Sequence, residues 1–382
     1  RSRSLSRRIR QRPIRSRSHP QPCQNRPPMS AAESPRLLVP AADIAPPLFV
    51  GIDLGGTNIK AALVDDAGRM IAFHTEKTRV PDGPEPAAVR MGESVGRLAA
   101  AAGLTAADIA AVGLGTPGPQ DLATGVMLRP GNFPGWQNFP VRDRVAEHCD
   151  HEVAYANDAT AAAYGEFWVG SGRDDASLVL LTLGTGVGGG IIIDDLVLEG
   201  AHSHGSECGH IIVDSSAAAR PCPCGQAGHL EAYASATALK ARAAERLAGG
   251  CTGSLADAVA AGETLTPILI GREAERGDAL AVELIREAAD WLAIGIVSLM
   301  HTIDPAAVIL GGAMTFGREQ NPVGRLFLEQ ITLGVHRRTF PTLAERTAIC
   351  YAALGGDAGS IGAAGIGRLA WRRRTGAAPA HS

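Results

Sequence analysis

Leu48 to Lys77 reads LFVGIDLGGTNIKAALVDDAGRMIAFHTEK, three apolar runs separated by two turns. LFVGIDL, NIKAALVD and RMIAFHTEK have the apolar, β-branched character of strands, and Gly55-Gly56-Thr57 and Asp66-Ala67-Gly68 supply the turn chemistry between them. The stretch predicts a three-stranded meander. An alanine-rich helix is expected from about Pro86 to Ala102, then the strand IAAVGLGTPG ending at Gly118.

From Ser177 the outline repeats as SLVLLTLGTGVGGGIIIDDLVLEG, again strand, glycine turn, strand. Two copies of such a unit, each leading into helix and strand, predict a duplicated α/β fold with a cleft between the halves. Leu280, Leu284, Ala288, Leu292, Ile296 and Leu299 recur at helical spacing and are expected to be core. Asp304-Pro305 stops that helix, AAVILGGAM is a strand ending on Gly311-Gly312, and Gly355 to Ala370 reads as a last helix.

The chain has 382 residues, a size that suits two domains, and its formal net charge of -3 gives no general case for nucleic acid or an anionic membrane. Its longest apolar run, Trp291 to Met300, is far below the roughly 20 residues of a membrane span. Seven cysteines in no regular framework fit a reduced cytoplasm. The first forty residues stand apart: nine arginines among serines and prolines precede the first acidic residue, Glu33. Disorder is expected there. A basic arm, a transit peptide and a start site placed too far upstream compete as explanations; Met29 as first methionine favours the last.

Glu207 to Glu231 gathers His210, Cys222, Cys224 and His229 in the segments ECGH and CPCGQAGHLE. A C-x-C turn directs two thiolates at one ion and two imidazoles complete a four-coordinate shell, which predicts a structural zinc with no open position for water. Glu207 and Glu231 flank that knot as hydroxyl-binding candidates. In Asp53-Leu54-Gly55-Gly56-Thr57 and in Gly184-Thr185-Gly186, glycines let backbone N–H groups approach an anion, so the two hairpins together suit a two-sided phosphate clamp. Neither fits a Walker or dinucleotide fingerprint. Asn157-Asp158 ends the strand HEVAYA before the helix ATAAAYGEFW, and from the residues alone Asp158 is either a general base or a helix cap.

Asp53 to Thr57, Gly115-Thr116-Pro117-Gly118, Asn132 with Trp136, Asn157-Asp158, LTLGTGVGGG, ECGH and CPCGQAGHLE occur in the order that resembles the ROK family of sugar kinases and related repressors. The resemblance runs from about Phe49 to Leu369 and implies two ribonuclease-H-like domains of the actin-like ATPase group, closing on sugar and ATP. Carried onto this chain, it puts residues 47–158 with 360–374 in the first domain and 159–359 in the second, after a basic extension of residues 1–46. It implies Asp158 as the base acting on a hexose 6-hydroxyl. Gly115, Thr116, Asn132, Asn157, Glu207, His210 and Glu231 line the sugar pocket. Asp53 faces the phosphates and Mg²⁺, Gly55, Gly56, Thr57, Gly184, Thr185 and Gly186 cradle them, and Gly311 and Gly312 pass near the adenosine. Lys60 reads as a solvated strand residue. His229 stands where the family's knuckle usually carries a third cysteine, so a Cys₂His₂ zinc site is expected, a three-ligand or lost site being the alternative. Glucose is the first expectation, with an N-acetylhexosamine kinase or a sugar-responsive repressor as alternatives. Residues 1–47 are too short and proline-rich for the repressors' winged helix. A homo-oligomer, dimer or tetramer, is expected from the resemblance alone.

Overall fold

The computed structural model describes residues 33–376. The first half forms β1 (Glu33–Leu37), β2 (Leu48–Leu54), β3 (Asn58–Asp65), β4 (Met70–Lys77), α1 (Pro84–Ala101), β5 (Ile109–Thr116), β6 (Gln120–Asp121), β7 (Val126–Met127), α2 (Val141–Cys149), β8 (Val153–Asn157) and α3 (Asp158–Trp168). The second half forms β9 (Ser177–Leu183), β10 (Val187–Ile193), β11 (Leu196–Val197), α4 (Glu231–Ala234), α5 (Ala236–Ala248), α6 (Ser254–Ala260), α7 (Pro267–Glu275), α8 (Ala279–Ile303), β12 (Ala307–Gly312), α9 (Pro322–His336), α10 (Pro341–Arg346), β13 (Ala348–Tyr351) and α11 (Ala358–Thr375).

The strands make two large sheets, ordered β1-β4-β3-β2-β5-β8 and β11-β10-β9-β12-β13. With β1 and the separate β6–β7 pair set aside, each sheet is its unit's third, second, first, fourth and fifth strand in that spatial order. In both, the second strand is antiparallel to its neighbours and the fourth and fifth run parallel to the first. The duplication expected from the two glycine meanders is therefore present strand for strand, although β11 is a two-residue stub. Both are ribonuclease-H-like lobes.

Period-two alternation divides the core into layers. Leu48, Val50 and Ile52 of β2 pack with Met91, Val95 and Leu98 of α1 on the outer face of the first sheet. Val179, Leu181 and Leu183 of β9 pack with Leu284, Leu292 and Ile296 of α8 on the outer face of the second. Between the sheets lies a shared core of Phe49, Ala62, Tyr164, Phe167, Leu178, Leu180, Ile309 and Ile361. The helices there are exchanged. α3 leaves the first sheet and packs on β9 and β10, while α11 leaves the second and packs on β2, β5 and β8. Their approach is close enough to need glycine: a Cβ on Gly362 would lie 1.7 Å from the Ala161 carbonyl oxygen, and one on Gly51 would lie 1.9 Å from that of Ser360.

Two expectations change. Disorder expected up to residue 40 ends earlier, because β1 extends the first sheet antiparallel to β4, with Arg36 opposite Phe73 and Leu37 opposite Ala72. Val39 and Ile44, which follow β1, pack against the first lobe's outer core. The rest of the Arg-rich segment, residues 1–32, lies outside the described residues. The last helix is entered through a 3-10 turn, Gly355–Asp357, and runs to Thr375, where Gly376 ends it in the left-handed region. No helix among the described residues is long and apolar enough to cross a membrane.

Candidate active site

Asp53 sits at the end of β2, where the strand gives way to the Gly55-Gly56-Thr57 turn. The turn is held from below: Gly55 N–H donates to Asn58 O at 3.0 Å and Thr78 Oγ1 donates to Gly55 O at 2.6 Å. Burial, with the charge of Asp158 adding to it and Lys60 opposing, pushes the Asp53 carboxyl up to about 7. A carboxylate held at such a cost suits a site completed by a cation. Lys60 is opposite Asp53 in the β2–β3 register and its Nζ reaches the Gly356 carbonyl at 2.6 Å, just ahead of α11. It is no free strand lysine. The start of α11 also abuts the carboxylate, since a Cβ on Gly359 would lie 2.4 Å from Asp53 Oδ2.

Asp158 opens α3. The capping alternative goes to its neighbour: Asn157 Oδ1 accepts from Ala159 N at 2.9 Å and from Thr160 N at 3.3 Å. Asp158 Oδ1 takes one hydrogen bond, from Ala159 N at 2.8 Å. Burial raises its pKa against that hydrogen bond, and the charge of Glu207 raises it further. Asn157, Asp158 and Glu207 line one cavity, with Leu122 on the first lobe's side and Gly188, Gly189, Glu199, Ser203 and Ser206 on the second's. Carboxylates, a carboxamide and hydroxyls therefore share one concave space, an arrangement that could accept a proton and orient hydroxyls.

The metal-donor cluster is assembled. The donor atoms of His210, Cys222, Cys224 and His229 all lie within 4.8 Å of one another. His229 Nδ1 is 3.2 Å from Cys224 Sγ and 3.2 Å from His210 Nδ1, and Cys222 Sγ is 3.8 Å from His210 Nδ1. Zinc with nitrogen and sulfur ligands in a tetrahedron has donor separations of roughly 3.3–3.8 Å; the three short pairs lie near that range, and the set is compact enough to hold a metal ion. His229 enters the cluster as the fourth donor. Beneath it Cys222 packs on Tyr233, whose hydroxyl donates to Asp214 Oδ2 at 2.6 Å and accepts from Arg220 N at 2.7 Å.

The second hairpin turns at Gly184–Gly186, with Thr185 exposed at its tip and Gly184 open to space for any added Cβ. Gly311 and Gly312 end β12 beside it; Gly312 has φ +88° and its missing Cβ would clash with Leu183 O at 2.3 Å. Glu231 lies against this hairpin rather than in the cavity lining, with Oε2 accepting from Val187 N at 2.9 Å. Gly115 lies under Asp158, its Cβ position 3.6 Å from that residue's Cα. Thr116 is fully buried, its hydroxyl 2.8 Å from the Tyr155 hydroxyl, and so braces the strand end instead of facing the cavity. Asn132 is exposed on the turn before the buried Trp136 and is absent from that lining. Leu122, Glu199 and Ser203 were not singled out from sequence. The available signal was the crowding of small residues in GAHSHGSE, where Ser203 and Ser206 have φ of 60° and 66°.

Comparison with known proteins follows the same lines. The model of the ROK family matches residues 49–368. The glucokinase of Halalkalibacterium halodurans is 32% identical over 314 residues, covering 82% of this chain and 93% of that protein. Among solved structures, the ROK hexokinase of Thermus thermophilus superposes with a TM-score of 0.72 at 33% identity, covering 85% of this chain and 99% of that one. A ROK family glucokinase from Streptomyces griseus, in complex with glucose and AMPPNP, superposes with a TM-score of 0.68 at 33% identity, covering 84% and 99%.

Proposed function

The chain belongs to the ROK family, and on that premise we propose that it is an ATP-dependent hexokinase that phosphorylates the 6-hydroxyl of glucose. The observation that carries the reading is Asp158: a half-buried carboxylate of raised pKa, released from capping duty by Asn157, in a cavity it shares with Glu207 between the two lobes. A relative at 33% identity has been solved with glucose and AMPPNP, which supports the same pair of substrates here.

Phosphoryl transfer has a loose transition state, so positioning and charge neutralisation carry most of the catalysis. In this reading Asp158 takes the proton of the 6-hydroxyl as its oxygen attacks the γ-phosphorus, and ADP leaves. Asn157 and Glu207 orient the hydroxyls, joined by His210 through the ring nitrogen not turned to the metal cluster and by Glu231 through its second oxygen. The hairpins at Gly55–Thr57 and Gly184–Gly186 offer N–H groups to the phosphates, with Gly311 and Gly312 alongside. Asp53 would hold Mg²⁺, which neutralises phosphate charge when bound. His210, Cys222, Cys224 and His229 would hold a structural zinc that fixes the knuckle. Such a reaction draws on cytoplasmic ATP.

Turnover with ATP in a coupled ADP assay, across glucose, N-acetylglucosamine and N-acetylmannosamine, tests the proposal. The expected result is ADP release that is fastest with glucose and yields the 6-phosphate. Release with an N-acetylhexosamine alone would transfer the substrate to that class, and no release with any hexose would defeat the kinase reading.

A further inference from the structure

A carboxylate assigned to sugar recognition is built into the phosphate side of the cleft. Glu231 Oε2 accepts from Val187 N at 2.9 Å, and a Cβ on Gly186 would lie 2.2 Å from the same oxygen. The carboxylate thus presses on the exit of the second hairpin. The segment that follows grips the hairpin twice more. Ala236 N donates to Gly184 O at 2.9 Å and Thr237 Oγ1 donates to Thr185 O at 2.8 Å. At its other end Glu231 begins α4 two residues beyond His229, and Cys222 Sγ lies 3.9 Å from Glu231 Oε1. One side chain therefore bridges the metal-donor cluster and the hairpin.

The turn needs that help. Gly184 and Gly186 leave its backbone with more freedom to lose than any other residue type would. Its internal hydrogen bond is Gly184 N to Gly186 O at 3.0 Å. The knuckle loop is shaped by main-chain bonds, among them Cys222 N to Gln226 O at 2.7 Å and Gly228 N to Arg220 O at 2.9 Å, but none of these joins its four donor side chains to one another. A metal that joins Cys222, Cys224, His229 and His210 removes the remaining freedom and fixes the point from which Glu231 projects.

We propose that Glu231 is a positioning residue that couples the Cys/His knuckle to the phosphate hairpin, so that metal binding and nucleotide binding strengthen each other with no sugar present. The proposal rests on the assignment of Gly184–Gly186 to the nucleotide phosphates. Because coupling between two binding sites is reciprocal, the factor by which metal tightens nucleotide equals the factor by which nucleotide tightens metal.

The experiment is ADP binding by calorimetry in the absence of sugar. In the wild-type protein, removal of zinc with a chelator should weaken ADP binding about three- to tenfold, the range of one net intramolecular hydrogen bond. Glu231→Ala should show the same loss and no longer respond to zinc. Glu231→Gln keeps an oxygen for the Val187 N–H and should recover ADP affinity to within about twofold of wild type. Saturating ADP should tighten zinc, in competition with a chelator, by the wild-type factor. ADP affinity indifferent to zinc in the wild-type protein overturns the proposal, and this arm stands even where Glu231→Ala folds poorly. Gly184→Val, which adds a side chain into open space, separates the two failures. If it binds ADP as wild type does, the hairpin assignment falls. If it abolishes ADP binding while zinc has no effect on the wild type, the coupling alone falls.

Discussion

The Leu122 amide donates a 3.0 Å hydrogen bond to Ser203 Oγ, joining residues far apart in the chain that line the same cavity. Leu122 belongs to the first lobe and Ser203 to the loop leading to Glu207 in the second. The bond therefore helps to hold the cavity in its present shape. Ser203→Ala keeps the backbone and removes the acceptor, and should raise KM for the sugar about three- to tenfold while leaving kcat within about twofold. Steady-state kinetics with varied sugar decide it; an unchanged KM would remove Ser203 from the closure contacts.

Asp158→Asn keeps the shape of the α3 start and abolishes the proton acceptor. A positioned base contributes about 10²–10⁴ in rate, so kcat should fall by at least that lower factor while sugar affinity, read by calorimetry, stays near wild type. A variant retaining most of its turnover would take Asp158 out of the chemistry.

Asp53 gives a pH prediction whose sign is fixed by its shift. Its folded-state pKa of about 7 lies above the ordinary 3.8, so its contribution to stability is fully present below about 3.8 and is lost as pH rises through about 7. Asp53→Asn removes the ionising group. Without Mg²⁺ or nucleotide, the variant should be more stable than wild type by roughly 2–4 kcal/mol at pH 8, with the difference shrinking toward pH 4. Its turnover should nonetheless collapse. Denaturant titrations at the two pH values provide the test, and equal stability at pH 8 would contradict the burial argument.

Wild-type protein should purify with stoichiometric zinc, measured by elemental mass spectrometry. Cys224→Ser, at the exposed corner of the cluster, should lose most of it, whereas His229→Cys exchanges one good zinc ligand for another and should retain it. Wild-type protein without bound metal under zinc-replete expression would show that the four donors do not act together.

Gly362→Ala introduces a Cβ where the Ala161 carbonyl oxygen already stands, and backbone cannot swing aside as a flexible side chain would. A loss of at least about 2 kcal/mol is expected from chemical denaturation. Gly56→Ala, which meets nothing within 4 Å, is the control and should be close to neutral in stability.

What the sequence disclosed depended on how local the signal was. The glycine meanders and the apolar stripe of α8 are written in consecutive residues, and each marks its element directly. The four metal donors fall within twenty residues of chain and their types announce the chemistry. The family resemblance put Thr116 in the pocket, yet its hydroxyl turns inward to Tyr155, a partner nearly forty residues away. Ser203 meets Leu122 across an even longer separation, and nothing in either neighbourhood announces the contact. Lys60 resembled an ordinary strand lysine because its acceptor, Gly356 O, belongs to the far end of the chain. β1 escaped notice because only a few apolar residues follow the arginine-rich stretch.

The exchange of α3 and α11 between the sheets also sets an order of events during synthesis. Phe49 and Ala62 of the first sheet bury their side chains in a core completed by Ile361 and Ala364, which leave the ribosome long after the sheet they cover. Until they emerge, one face of a nearly finished sheet stays wet and adhesive, in a topology already slow because its decisive pairings are remote in sequence. A nascent chain paused before Ala358 should therefore recruit chaperones that the released protein does not, a vulnerability belonging to translation rather than to catalysis.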